Sequence, residues 1–368
     1  METLKLTDRG WFWPPVDELS EAAERIRARL GDWPRTSRAW RICLAAPEAA
    51  GPNDLIVVIG REVPDGEVAA WRGDGAAVVQ ASAGGATLMA PGGERFSLEG
   101  ALAEDWLAAL AAFLDCGFDA QDALVLALAW RDGDEMRSED AWPVELSRFP
   151  RVAQLPPAPV LAFPACPPRL GLYPVLPSAQ WVERVLAMGV KTVQLRVKDA
   201  DALPSGLEDD IARAVAAGRR YDARVFINDH WREAAQAGAY GVHLGQEDLD
   251  TADLEAIARA GMRLGLSTHG YYEMLRALHY RPSYLAFGAV FPTGTKTVAT
   301  APQGITRLAR YVRLLDGHVP LVAIGGIDAS RLAAVLATGV GSAALVSAVT
   351  AAADPAAAVA RLQQAFQA

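Results

Sequence analysis

At 368 residues the chain is too long for one ordinary core and implies two domains. Hydrophobic residues at 51% against 21% charged describe a soluble globular protein, and a formal charge of −9 argues against a general nucleic-acid binder, so any basic site must be local. Cys43, Cys116 and Cys166 are odd in number and widely spaced, forming neither a metal motif nor a disulfide framework, which fits a reduced cytoplasm. The start, METLKLTDRGW, lacks the basic-then-apolar layout of a signal peptide. The most apolar stretch, Ala101 to Trp130, is broken by Glu104, Asp105, Asp115 and Asp119 and is not expected to span a membrane.

Residues 1–155 read as an N-terminal domain of α/β or α+β type. Glu18 to Leu30 carries Leu19, Ala22, Ala23, Ile26 and Leu30 on one helical stripe. Short strands are predicted at Arg41–Ala45, Leu55–Ile59, Val68–Trp71, Val78–Ala81 and Thr87–Met89, separated by Gly and Pro turns. Helices follow at Glu104–Cys116 and Ala120–Trp130, divided at Gly117. Residues 156–169 are rich in proline and read as a semi-extended linker.

GFDAQDALVLALAW and the Ala-rich helix before it resemble the last part of the ribokinase-like hydroxymethylpyrimidine phosphate kinases, over about Ala76 to Trp130. In that family a GTGD-type turn opens the first of these helices and supplies the catalytic Asp. Here the corresponding place reads Gly100-Ala101-Leu102-Ala103-Glu104-Asp105, without the glycine-rich anion cradle. The resemblance therefore implies a degenerate remnant, with Asp105 a first-turn helix acid rather than a base.

From 170 to 368 short apolar runs alternate with helical stretches. Strands are predicted at Gly171–Leu176, Thr192–Val197, Arg224–Ile227, Gly241–Leu244, Arg263–Leu266, Tyr284–Val290, Leu321–Ile324 and Ser342–Val346. Eight β/α units in so short a span predict a (β/α)₈ TIM barrel; a doubly wound sheet is the weaker alternative, since no GxGxxG turn follows the first strand. In such a barrel the chemistry lies at the carboxyl ends of the strands.

The stretch RVFINDHWREAAQAGAYGVHLGQEDLD, Arg224 to Asp250, is strand, short helix, strand, with an acid beyond each strand. Neighbouring parallel strands lie about 4.8 Å apart, so Asp229 and Asp248 emerge side by side, with Asn228 next to them. Two carboxylates there suit one hard cation such as Mg²⁺ that also takes phosphate oxygens. The plainer alternative is a helix cap for Asp229 and a turn for Asp248.

One strand earlier, alternation places Gln194, Arg196 and Lys198 on the inner face, where two cations are costly unless an anion meets them. Phosphate or pyrophosphate is the natural guest. Ser267-Thr268-His269 ends the fifth strand as small polar donors or an ordinary cap. Thr293-Gly294-Thr295-Lys296 follows the sixth as a compact phosphate loop, and Gly325-Gly326 and Val346-Ser347 follow the seventh and eighth, where these barrels often hold a phosphate. Two anionic substrates are expected, a metal-bound pyrophosphate and a monophosphate.

QLRxK, IND, GVHLGQED, STH, PTxTK, APQG, AIGGI and VSAV stand in the order found in the thiamine phosphate synthase family, across about residues 170–366. The resemblance implies pyrimidine-diphosphate contacts at Gln194, Arg196, Lys198, Asn228, Ser267 and Lys296, and Mg²⁺ ligands at Asp229 and Asp248. It implies thiazole-phosphate contacts at Thr293, Thr295, Gly326, Val346 and Ser347, beside Gly325. Arg196, Lys198, Lys296 and Ser267 would carry the catalysis. The implied reaction is dissociative: pyrophosphate leaves and the thiazole nitrogen captures a pyrimidine-methyl cation. The partners are small molecules, with no nucleic acid or membrane, and homo-oligomerisation is left open. A thiazole tautomerase-like isomerase and a non-catalytic thiamine-precursor sensor are the alternatives.

Overall fold

The computed structural model describes residues 10–136, 140–197, 204–294 and 301–367, with the backbone alone at 204 and 205. It divides into two compact units, Met1–Pro156 and Pro157–Ala368.

The first unit holds strands β1 (Phe12–Trp13), β2 (Arg41–Cys43), β3 (Asp54–Ile59), β4 (Ala77–Ser82), β5 (Gly85–Met89), β6 (Arg95–Glu99) and β7 (Arg151–Val152). Its helices are α1 (Asp17–Arg29), α2 (Asp65–Gly73), α3 (Trp106–Asp115) and α4 (Ala120–Ala129). The seven strands form one sheet in the order of the chain. The first four are parallel and the rest antiparallel, a mixed α/β sheet. Val68–Trp71, expected as a strand, lies within α2. Val68 and Trp71 are three residues apart and both buried against Ile56 and Val78, a helical face rather than a strand face. Asp65 and Glu67 in the first turn complement the helix dipole.

Every residue of α3 is buried, including Asp115. That carboxylate is met by Arg27 Nε at 2.9 Å from α1 and by Arg35 Nη1 at 3.5 Å, so its charge is paired inside the apolar layer.

The second unit is a closed barrel of eight parallel strands: β8 (Gly171–Leu176), β9 (Thr192–Leu195), β10 (Arg224–Asn228), β11 (Gly241–Leu244), β12 (Arg263–Thr268), β13 (Tyr284–Phe287), β14 (Leu321–Ile324) and β15 (Ser342–Leu345). Pairing of β15 with β8 closes it. The helices between and after them are α5 (Ala179–Ala187), α6 (Pro204–Arg220), α7 (Trp231–Ala237), α8 (Leu254–Arg259), α9 (Tyr271–His279), α10 (Gly304–Leu315), α11 (Leu332–Leu336), α12 (Ser347–Thr350) and α13 (Pro355–Ala365). The barrel is the TIM fold expected of the pattern. Tyr173, Phe226, Tyr284, Val322 and Ala344 fill its middle. Large rings fit because small residues stand opposite: a Cβ on Gly265 would lie 2.2 Å from Tyr284 Cζ.

The proline-rich stretch before β8 is fastened to the amino ends of the strands. Ser283 Oγ donates to Pro164 O at 2.8 Å and Arg263 Nε to Ala165 O at 3.0 Å, while Leu170 N donates to Ser342 Oγ at 2.7 Å. Cys166 packs into the same core as Tyr173 and Phe226.

Candidate active site

At the carboxyl ends of the strands the barrel opens into a cavity of about 480 Å³, large enough for a small organic ligand, and all eight strands or the loops after them line it. Gln194 and Arg196 reach it from β9. Arg196 N donates to Leu176 O at 2.8 Å, which extends the pairing of β9 with β8 one residue beyond the strand and fixes the Arg196 backbone at the rim.

Asn228 and Asp229 arrive from β10, Asp248 and Glu247 from the loop after β11. The two aspartates expected to neighbour each other thus line one cavity. Asp229 has φ 61°, the left-handed region that Asp and Asn enter more readily than other side-chain residues, and its amide donates to His243 O at 3.0 Å. Its strain is held by the adjoining strand rather than released into α7, whose cap position is His230 and makes no side-chain cap bond. Asp248 Oδ2 accepts from Gly245 N at 2.7 Å, so one oxygen braces its own turn and the other remains for a ligand.

Ser267 and Thr268 end β12 at the cavity, followed by His269, whose amide and Nδ1 both meet Glu273 Oε2 at 2.8 Å. On the opposite arc Thr293 follows β13, Gly325 and Gly326 follow β14, and Val346 and Ser347 follow β15. Gly325 and Gly326 have φ of 102° and 62°, and Cβ atoms there would lie 2.5 Å from Ala289 Cα and from Pro292 O. This turn requires glycine on both counts. Arg331 braces it, donating to Gly326 O at 2.6 Å with its guanidinium 4.8 Å from the Phe291 ring centre. Asp328 turns the loop by accepting from Ser330 Oγ at 2.6 Å and from the Ser330 and Arg331 amides; these bonds, the Ser330 hydroxyl first, hold its carboxyl below the usual value.

Lys198, Thr295 and Lys296 lie outside the described residues. The sequence reading missed His243, which lines the cavity from β11, and Arg331. Strand alternation carries the signal for His243, because it shares the parity of Gly241 and points where Asn228 points on β10. Nothing local marks Arg331.

Fold and cavity together define a (β/α)₈-barrel enzyme. The family profile described as thiamine monophosphate synthase matches residues 172–349. The thiamine-phosphate synthase of Serratia proteamaculans is 58% identical over 203 residues, covering 55% of this chain and 94% of that protein. That of Citrobacter koseri is 59% identical over 192 residues, covering 52% and 90%. Among solved structures, a thiamine phosphate pyrophosphorylase from Pyrococcus furiosus is 29% identical, with a TM-score of 0.47 over 54% of this chain and 96% of that one. Through its barrel unit the chain belongs to the thiamine-phosphate synthase family.

Proposed function

We propose that the barrel joins hydroxymethylpyrimidine diphosphate to a thiazole phosphate, giving thiamine phosphate and pyrophosphate; a carboxylated thiazole would also release carbon dioxide. The observation that carries this reading is the division of one cavity into two arcs. Gln194, Arg196, Asn228, Asp229, Asp248 and Ser267 come from β9 to β12, while Thr293, the paired glycines, Val346 and Ser347 come from β13 to β15. A diphosphate on the first arc and a monophosphate on the second would face each other across the barrel axis.

The donor set fits magnesium. Asp229, Asp248 and Asn228 are hard oxygen donors on one wall. Among the described residues no group of three or more His, Cys, Asp or Glu is placed to hold a metal. The pair would therefore hold Mg²⁺ only together with diphosphate oxygens, as that ion commonly binds. Bound there, it would neutralise charge building on the leaving pyrophosphate.

The rest falls to the chain. The C–O bond to the diphosphate breaks with its electron pair going to pyrophosphate, and the thiazole nitrogen lone pair forms the new C–N bond. Arg196, with Lys198 and Lys296 by resemblance, stabilises the departing anion. Gln194 and Ser267 hold the pyrimidine, and Gly326, Ser347 and the Thr293 loop hold the thiazole phosphate in line, so that orientation replaces a general base. Three buried cysteines, none in a disulfide, fit work in a reducing cytoplasm, and among the described residues no helix is long and apolar enough to cross a membrane. Purified chain mixed with both phosphorylated precursors and Mg²⁺ should form thiamine phosphate and pyrophosphate in equal amounts. Absence of both products would sink the reading.

A further inference from the structure

Five side chains from five strands form one hydrogen-bonded chain at the floor of the cavity. Gln194 Nε2 donates to the Tyr173 hydroxyl at 3.4 Å, and the Tyr173 and Tyr284 hydroxyls meet at 2.9 Å. The Tyr284 hydroxyl meets His243 Nδ1 at 2.7 Å, and His243 Nε2 meets Ser267 Oγ at 2.8 Å. Tyr173 and Tyr284 are fully buried, Gln194 and His243 nearly so. Packing holds the rings: Phe226 lies edge-on to Tyr284 with centres 5.1 Å apart and 5.7 Å from Tyr173. Both ends, Gln194 and Ser267, line the cavity, as does His243.

Proton accounting gives this chain a direction. Each phenol has one proton, and burial pushes both phenols well above their usual range, so both keep it. Tyr173 already accepts from the Gln194 amide, so its proton goes to Tyr284. The Tyr284 hydroxyl accepts from Tyr173 and lies within reach of the Gln194 amide, itself a donor here, so its own proton goes to His243 Nδ1. With Nδ1 an acceptor, the neutral imidazole carries its proton on Nε2 and gives it to Ser267 Oγ. The Ser267 hydroxyl proton is left for the cavity, and the Gln194 amide has its oxygen left to offer. The opposite polarity requires the amide to turn over and every proton in the chain to move, because any single reversal strands a buried donor.

We propose that Tyr173, Tyr284 and His243 are positioning residues that hold His243 as the Nε2–H tautomer and so fix together the polarity of the two ends, Gln194 as acceptor and Ser267 as donor. A heteroaromatic ring with a ring-nitrogen acceptor and an exocyclic donor meets such ends in one orientation only. This specifies which way round the pyrimidine lies, and to that extent it rests on the synthase reading.

The test uses the full chain labelled with ¹⁵N-histidine, with the His243 signal assigned by its loss in His243→Asn. The resting protein should show His243 as Nε2–H. Tyr284→Phe keeps the ring and removes the donor to Nδ1, so the tautomer should become mixed or invert. Tyr173→Phe should leave the tautomer as it is and release the Gln194 end. Each variant should lose about tenfold in kcat/KM for pyrimidine diphosphate, the scale of one buried hydrogen bond, with a native-like spectrum showing that the fold is kept. An Nδ1–H tautomer in the unaltered protein, or an unchanged His243 signal in Tyr284→Phe, overturns the proposal. Because the tautomer is read on resting protein, it is decided even if the unaltered chain makes no thiamine phosphate, an outcome that would instead sink the synthase reading.

Discussion

The two units put their buried charged groups to different ends. In the first, three buried carboxylates close on arginines: Asp115 on Arg27, Asp54 on Arg41 and Asp134 on Arg148. The same holds where α3 begins. There the Glu104 and Asp105 amides, which could greet an anion, donate to the two oxygens of Asp132 at 3.0 Å each. The carboxyl of Asp105 is pushed up by partial burial and by its acidic neighbours, Asp132 foremost, so the region repels rather than recruits phosphate. In the barrel the buried chain ends at a cavity, and Arg196, Asp229 and Asp248 end there too. Groups that satisfy one another hold a fold together; groups whose last bond is left to a ligand make a site.

The sharpest way to break that contrast is to change the two cavity carboxylates. Asp229→Asn suits the left-handed backbone at φ 61°, and Asp248→Asn can still accept from Gly245 N, so both variants should fold. Each should lower kcat on the order of a hundredfold, the scale of one contact to developing charge, and raise the Mg²⁺ concentration needed. Calorimetry should show thiazole-phosphate binding little changed. Near-normal Mg²⁺-dependent turnover in both variants would remove the two-carboxylate site.

A second break separates the units. A chain beginning at Pro157 keeps the Ser283–Pro164, Arg263–Ala165 and Leu170–Ser342 bonds and should match the full chain in turnover. One beginning at Leu170 loses the Ser283–Pro164 and Arg263–Ala165 bonds and the Cys166 packing. Its melting temperature should drop by several degrees, in keeping with about 1 kcal/mol per lost bond or small buried group. Residues 1–156 alone should phosphorylate no pyrimidine, since Asp132 holds the helix-start amides. Measurable kinase activity there, or an inactive but folded chain from Pro157, would undo the division of labour.

The barrel was legible because most of its strands are short apolar runs closed by a polar or glycine residue, and the expected and observed bounds agree fully at Gly171–Leu176, Gly241–Leu244 and Leu321–Ile324. Which of the expected residues share the cavity was legible for the same reason, since strand ends converge in this fold. What stayed hidden depends on contacts distant in sequence. His243 gains its meaning from Tyr284, 41 residues on, and the proline-rich stretch from side chains 98 and 119 residues away. Val68–Trp71 was ambiguous locally: four apolar residues suit either period, and only packing against Ile56 and Val78 decides for a helix.

The smallest expected effect compares one thiol in each unit. Cys43 and Cys166 are buried, and burial pushes each thiol up to about 11. In the unfolded chain a thiol titrates near 8.5, as model thiols do. Between those values the folded state binds protons that the unfolded state has released, so stability falls as pH rises through the window and is unaffected below it. By pH 10 the loss is about 1–2 kcal/mol for each thiol. Tyr173 and Tyr284, raised further, stay protonated in the fold, and because unfolded tyrosine titrates at about 10 each adds only a few tenths of a kcal/mol to the loss by pH 10. Denaturant unfolding followed from pH 7.5 to 10 should show the decline, and Cys43→Ala and Cys166→Ala should each remove part of it while lowering stability at pH 7.5 through lost packing. Slopes that match the parent in both variants would mean that neither thiol is held protonated by its unit.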